Sequence, residues 1–145
     1  MSWVRVYMHM IFSTKNREPL LSSYEIRKKV FQHMKANAAE KNIWLDSING
    51  YADHAHCLIS LQKDQSISTV AQLIKGESSH WINKNQLIKN KFSWQDDYWA
   101  VGVSESHLQP VRDYIHAQEL HHSRRSFEEE INEFMAKYEW TLIQA

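Results

Sequence analysis

The stretch from His54 to Leu61 restricts this chain more than any other, because its residue types sort by parity. Ala55, Cys57, Ile59 and Leu61 take the odd positions, and in an extended strand residues two apart share a face. Such an apolar set demands a covering layer, so the strand belongs to a sheet with helices packed on it. His54 and His56 are thereby committed to the opposite face, side by side, where two imidazoles can grip one metal ion. Paired histidines on a sheet also occur as solvated or hydrogen-bonded groups, and spacing alone leaves both readings open.

The rest of the chain punctuates clearly. From Trp3 to Phe12, Val4, Val6, Met8, Met10 and Phe12 alternate with residues that include Arg5, Tyr7 and His9, which predicts a strand with one face in the core. Ser22-x-x-Glu25 forms a capping box, and Ile26, Val30 and Met34 follow at steps of four, predicting a helix that ends near Lys41-Asn42. Ile43 to Asn49 reads as a strand, turned back by Gly50-Tyr51-Ala52-Asp53 into the histidine strand. A second helix is expected from about Ser66 to Asn85, where Ile67, Val70, Leu73, Ile74 and Trp81 recur at helical spacing.

Phe92 to Val103 reads as another strand, and Ser104 or Ser106 caps a third helix whose Leu108, Val111 and Ile115 face the core. Ser126-x-x-Glu129 opens an amphipathic C-terminal helix from about residue 126, with Phe127, Ile131, Phe134, Met135 and Tyr138 as its apolar stripe. This order of elements predicts an α+β fold of the ferredoxin-like, split βαβ kind, an antiparallel sheet with helices mainly on one face. With 145 residues, three glycines, two prolines and no repeat, the chain is expected to form a single domain over residues 1–145.

Charges interrupt every long apolar run, the N-terminus lacks the regions of a signal peptide, and Cys57 has no partner for a disulfide or a CxxC site. A cytoplasmic protein without a membrane segment is the expectation. Formal charge balances at 17 basic and 17 acidic side chains, which taken alone argues against a nucleic-acid binder. Five glutamates and only Lys137 fall in residues 127–145, however, so the first 126 residues hold 16 bases against 12 acids and are mildly basic.

On the third helix Tyr114 and Gln118 stand four residues apart and share a face, which sets a phenol beside a carboxamide oxygen. Taken in order, the opening strand into His9-Met10-Ile11-Phe12-Ser13-Thr14-Lys15, Asp53-His54-Ala55-His56, Ile74-Lys75-Gly76, Trp94-Gln95-x-x-Tyr98 and Tyr114-Ile115-x-x-Gln118-Glu119-x-His121-His122 form a pattern, continued by Phe127 and Glu129. In these segments the chain resembles the single-tyrosine transposases of the HUH superfamily, REP-associated tyrosine transposases among them, which move small insertion sequences as single strands. The family commonly has a proline in the turn before the histidines, where this chain has Ala52.

The resemblance implies that His54 and His56 are the paired metal histidines, Gln118 the third ligand and Tyr114 the nucleophile. It implies metal-dependent cleavage and strand transfer of single-stranded, hairpin-containing DNA through a 5′-phosphotyrosine. It also implies a homodimer whose active sites combine the histidines of one subunit with the tyrosine helix of the other. A nitrogen, nitrogen, oxygen ligand set without thiolate is compatible with Mg2+ or Mn2+, and imidazole also suits zinc.

Further contacts to DNA are expected from Lys15, Arg17 and Lys75, and from His121 and His122, although a solvated polar face or a helix C-terminus explains these residues equally well. Ser78, Ser79, Asn83 and Lys84, neighbours of Lys75, are likewise expected to contact phosphates or to form a solvated polar face. Trp94, Tyr98 and Trp99 are either base-stacking or core residues. Two other functions fit parts of the pattern: a non-catalytic domain of the same fold that binds hairpin DNA or RNA, and a zinc hydrolase using His54, His56 and His9 or His121.

Overall fold

A computed structural model describes residues 1–122 and 125–138. Four strands, β1 (Val6–Ser13), β2 (Trp44–Tyr51), β3 (His54–Leu61) and β4 (Trp99–Val103), form one sheet in the order β2-β3-β1-β4. Every neighbouring pair is antiparallel. The helix α1 (Tyr24–Glu40) links β1 to β2, and α2 (Ile67–Lys84) links β3 to β4, which is the predicted split βαβ plan. Three shorter helices follow: α3 (Leu108–His116), α4 (Gln118–His122) and α5 (Phe127–Tyr138). The side chain of Tyr138, expected in the last apolar stripe, lies outside the described set, as do residues 139–145.

The parity argument holds at atomic level. Met10, Phe12, Ala55, Cys57 and Ile59 face α1 and α2 and join Val30, Met34, Val70 and Ile74 in the main core. Serines cap both long helices: Ser23 Oγ accepts from Ile26 N–H at 3.4 Å, and Ser66 Oγ from Thr69 N–H at 3.2 Å. Phe12 is fully buried and meets Trp94 edge to face with ring centroids 4.7 Å apart. Phe12→Ala should therefore cost about 3–5 kcal/mol, read as a lower urea midpoint at unchanged slope. A loss below about 1 kcal/mol would mean that this layer is not the core.

The second sheet face is covered as well. Tyr7 and Leu58 pack with Leu108 and Ile115 of α3, and Ile11 packs with Phe127 and Ile131 of α5. The alternation in β1 predicts one buried face; the other is buried because the chain after β4 returns across it. Residues 3–5 stay out of the sheet, since Val6 pairs with the last residue of β3, Leu61, and Tyr7 with the last of β4, Val103. Trp3 is accordingly exposed.

The expected strand Phe92–Val103 also divides. Only Trp99–Val103 pairs with β1, while Phe92 and Trp94 sink into the core under α2. Asn83 brackets Phe92, accepting from its N–H and donating to its carbonyl at 2.8 Å each, and Trp94 Nε1–H donates to Ser78 Oγ at 2.9 Å. Ser79 Oγ also donates to the Phe92 carbonyl. These three α2 side chains, expected to contact phosphates, are instead committed to holding the 92–94 segment. In the β2–β3 hairpin Gly50 lies opposite Ala55, and a side chain there would collide with the His54 carbonyl oxygen.

Candidate active site

β3 delivers His54 and His56 to the sheet face away from the main core, both fully buried, with ring centroids 5.2 Å apart. Helix α3 crosses this face on Leu108 and Ile115, which fixes its rotation and turns Tyr114 toward His56, ring to ring at 5.6 Å. A two-pronged ion pair from Arg112 to Asp46, at 2.9 and 2.8 Å, ties the helix to β2 and holds the Asp46 carboxyl below its usual range. Tyr114 and Gln118 do not share one continuous helix as expected, because α3 ends at His116 and Gln118 opens α4. Gln118 is nevertheless fully buried, with Oε1 3.0 Å from His54 Nε2.

The centre of the cluster is a residue that sequence reasoning missed. Phe127 stacks on His54 at 4.1 Å, and this seating of α5 drives Glu130 between the histidines. Glu130 Oε1 lies 3.2 Å from His54 Nε2, 3.0 Å from His56 Nε2 and 3.1 Å from His122 Nε2. Its other oxygen accepts from the Tyr114 hydroxyl and, at 3.1 Å, from Gln118 Nε2–H. Arg125 donates to the Tyr114 oxygen at 2.9 Å. Behind the histidines, His54 Nδ1 meets Asp53 Oδ1 at 2.9 Å and His56 Nδ1 meets His9 Nε2 at 2.9 Å.

Burial and charge set opposite protonation states here. Burial resists ionisation of Glu130, yet hydrogen bonds from His122, His54 and His56 outweigh it and hold the carboxyl far below its ordinary value. Burial likewise disfavours the His54 cation, but hydrogen bonds to Asp53 and Glu130 reverse the sign and raise its pKa. For His56 and His9 burial dominates, lowering them to about 4 and about 3. The Tyr114 phenol is raised, by burial first and then by the Glu130 carboxylate.

A pH dependence follows. Below the ordinary histidine value of 6.5, the unfolded chain takes up protons that the folded His9 and His56 refuse. Stability therefore falls on acidification from about 6.5 toward 4, by up to about 1.4 kcal/mol per pH unit for each histidine. His54 acts in a separate window above 6.5, where its raised value lets the folded state keep the proton longer. Melting midpoints of chelator-treated protein should fall from pH 6.5 to 4; a flat profile would contradict the burial of the pair.

The donor set fits a divalent cation. Nitrogens of His54 and His122 and an oxygen of Glu130 lie within 4.8 Å of one another. With Nδ1–H of His54 directed at Asp53, its Nε2 lone pair faces two oxygens, those of Gln118 and Glu130, an arrangement that only a proton or a metal ion reconciles. The phenol is reached from a cavity of about 340 Å³ lined by His9, Val111, Tyr114, Arg125, Glu130 and Phe134, among others.

Thus His54, His56, Gln118 and Tyr114 meet within one chain, and His122 joins them as part of the cluster. The ring of His121 lies 4.7 Å from that of Tyr114. β1 ends with Ser13 paired to His54, so Lys15 and Arg17 lie beyond it at the rim, where the Arg17 guanidinium sits 5.3 Å from the Phe127 ring. Lys75 does not join the group: it lies on α2, across the sheet, with Nζ donating to the Asp96 carbonyl at 2.7 Å. The missed Glu130 did leave a signal, since it falls on the apolar stripe of Phe127, Ile131 and Phe134. A charge on such a stripe marks a site or a buried pair.

The four-stranded antiparallel sheet and its helices match the fold of the single-tyrosine transposases. The chain belongs to the IS200-like transposase family, which matches residues 2–118. No curated protein matches it. Among solved structures, a protein of Deinococcus radiodurans R1 assigned as a transposase is similar at 20% identity and a TM-score of 0.64, covering 81% of this chain and 93% of its own. A REP-associated tyrosine transposase bound to a REP hairpin is similar at 17% identity and a TM-score of 0.58, covering 84% and 72%. Among the described residues no helix is long and apolar enough to cross a membrane.

Proposed function

We propose that this transposase cuts and rejoins single-stranded DNA at hairpin-containing ends, with Tyr114 as nucleophile and His54, His56 and Gln118 as ligands of a divalent cation. The observation that carries this reading is the convergence of the Tyr114 hydroxyl with both histidines and Gln118 beside an open cavity. Bound Mg2+ or Mn2+ would neutralise and polarise the scissile phosphate.

The chain's own groups do the rest. Glu130 and Arg125 aim the Tyr114 hydroxyl, and the guanidinium favours its phenolate. The Tyr114 oxygen attacks phosphorus as its phenolic proton passes to the hydrogen-bonded Glu130 carboxylate and the bond to the 3′ oxygen breaks, and the 3′ oxygen takes up a proton to leave as a 3′ hydroxyl. The downstream 5′ phosphate stays on tyrosine, so bond energy is retained and rejoining needs no ATP. Lys15, Arg17 and His121 are proposed to meet the strand at the rim, and Lys75 to meet it where it passes round the far side of the sheet. The active species is proposed to be a homodimer, for which sedimentation of a monomer at working concentration would be contrary evidence.

Hairpin oligonucleotides labelled at one end or the other test the polarity. With Mn2+, the 3′-labelled portion should become attached to protein and the 5′-labelled portion should be released. Attachment of the 5′ label, or of neither, would rule the mechanism out.

A further inference from the structure

The family match stops at Gln118, yet the group at the centre of the site comes from α5, beyond it. We propose that Glu130 is itself a ligand of the bound cation, with His122 as an additional nitrogen donor, so that α4 and α5 complete the metal site begun by β3. This rests on the metal-dependent reading above and extends it.

Spacing supports the assignment. Neighbouring ligands of an octahedral ion bound at about 2.1 Å stand about 3.0 Å apart. Glu130 Oε1 lies 3.2 Å from His54 Nε2 and 3.1 Å from His122 Nε2, the donor atoms of these three residues all lie within 4.8 Å of one another, and Gln118 Oε1 lies 3.0 Å from His54 Nε2. Three different elements supply these atoms: β3, α4 at both of its ends, and α5. Each is separately held: His54 by Asp53, His56 by His9, and His122 by the Tyr51 ring stacked at 5.4 Å. A buried carboxylate tucked among imidazoles, with its second oxygen on the Tyr114 hydroxyl and the Gln118 amide, fixes the ion site relative to the nucleophile. Imidazole nitrogens beside one carboxylate also move the preference away from Mg2+ and toward a transition ion such as Mn2+.

The test is calorimetric titration of MnCl2 and MgCl2 into the full chain at pH 7.5, without DNA. The wild type should bind Mn2+ at least about tenfold more tightly than Mg2+. Glu130→Gln, nearly isosteric, should weaken Mn2+ binding by about tenfold or more, while Tyr114→Phe should leave it within about twofold. Should Glu130→Gln fail to give a cooperative melt, Glu130→Asp replaces it; withdrawing the carboxylate by one methylene should still weaken binding several-fold. Unchanged or tighter Mn2+ binding in the folded Glu130 variant would overturn the proposal, because the carboxylate would then be a competitor of the ion. Unchanged binding in His54→Ala would instead overturn the metal reading beneath it.

Discussion

Tyr114→Phe is expected to abolish covalent attachment to DNA, by at least about 10³-fold in rate, while leaving DNA affinity and fold in place. The substitution removes one oxygen and keeps the ring, which packs 6.3 Å from His9 and 4.7 Å from His121 between centroids. Glu130 Oε2 retains the Gln118 amide at 3.1 Å and the Arg125 guanidinium at 3.6 Å, so no buried charge is orphaned. Stability should therefore change by no more than about 1 kcal/mol. A domain that only bound hairpins would show the same affinity before and after and no adduct in either protein. Full adduct formation by the phenylalanine variant would remove Tyr114 from the chemistry.

His54→Ala should have an equally large effect on cleavage and a larger one on stability. The imidazole is fully buried and touches Asp53, Gln118, Glu130 and the face of Phe127. Its loss removes the proposed ligand and leaves the buried Glu130 carboxylate short of a hydrogen-bonding partner, a change that costs about 1–3 kcal/mol. The metal-free variant should melt earlier, lose Mn2+-dependent cleavage by at least about 10³-fold, and gain no melting temperature from added Mn2+. Metal-dependent cleavage above a tenth of the wild-type rate would show that the ion sits elsewhere.

The sheet was legible because burial imposes a period of two, and that period appears in Val4–Phe12 and in Ala55–Leu61. The same argument placed His54 and His56 correctly on the second face, and helical spacing brought Tyr114 near Gln118 despite the break after His116. Other features depend on contacts between distant residues. Phe92 and Trp94 have strand-like composition, but the Asn83 bracket and the Ser78 hydroxyl, which no local pattern displays, draw them into the core.

Glu130 was hidden for a related reason. Its position depends on how α5 crosses the sheet, which is decided by Phe127 and Ile131 packing on Ile11. Locally it is one glutamate in the run Glu128-Glu129-Glu130, and only its place between Phe127 and Ile131 sets it apart. Lys75 carries a contact of the same kind, because nothing in the sequence around Gly76 shows that its ammonium donates to the Asp96 carbonyl.

Peptide mapping of the protein–DNA adduct tests the central claim most directly. Trypsin should release residues 113–124, which contain Tyr114 as their only tyrosine, and this fragment should carry the mass of a nucleotide linked through its 5′ phosphate. A phosphotyrosine at any of the other five tyrosines, or unmodified fragment 113–124 from purified adduct, would contradict the account.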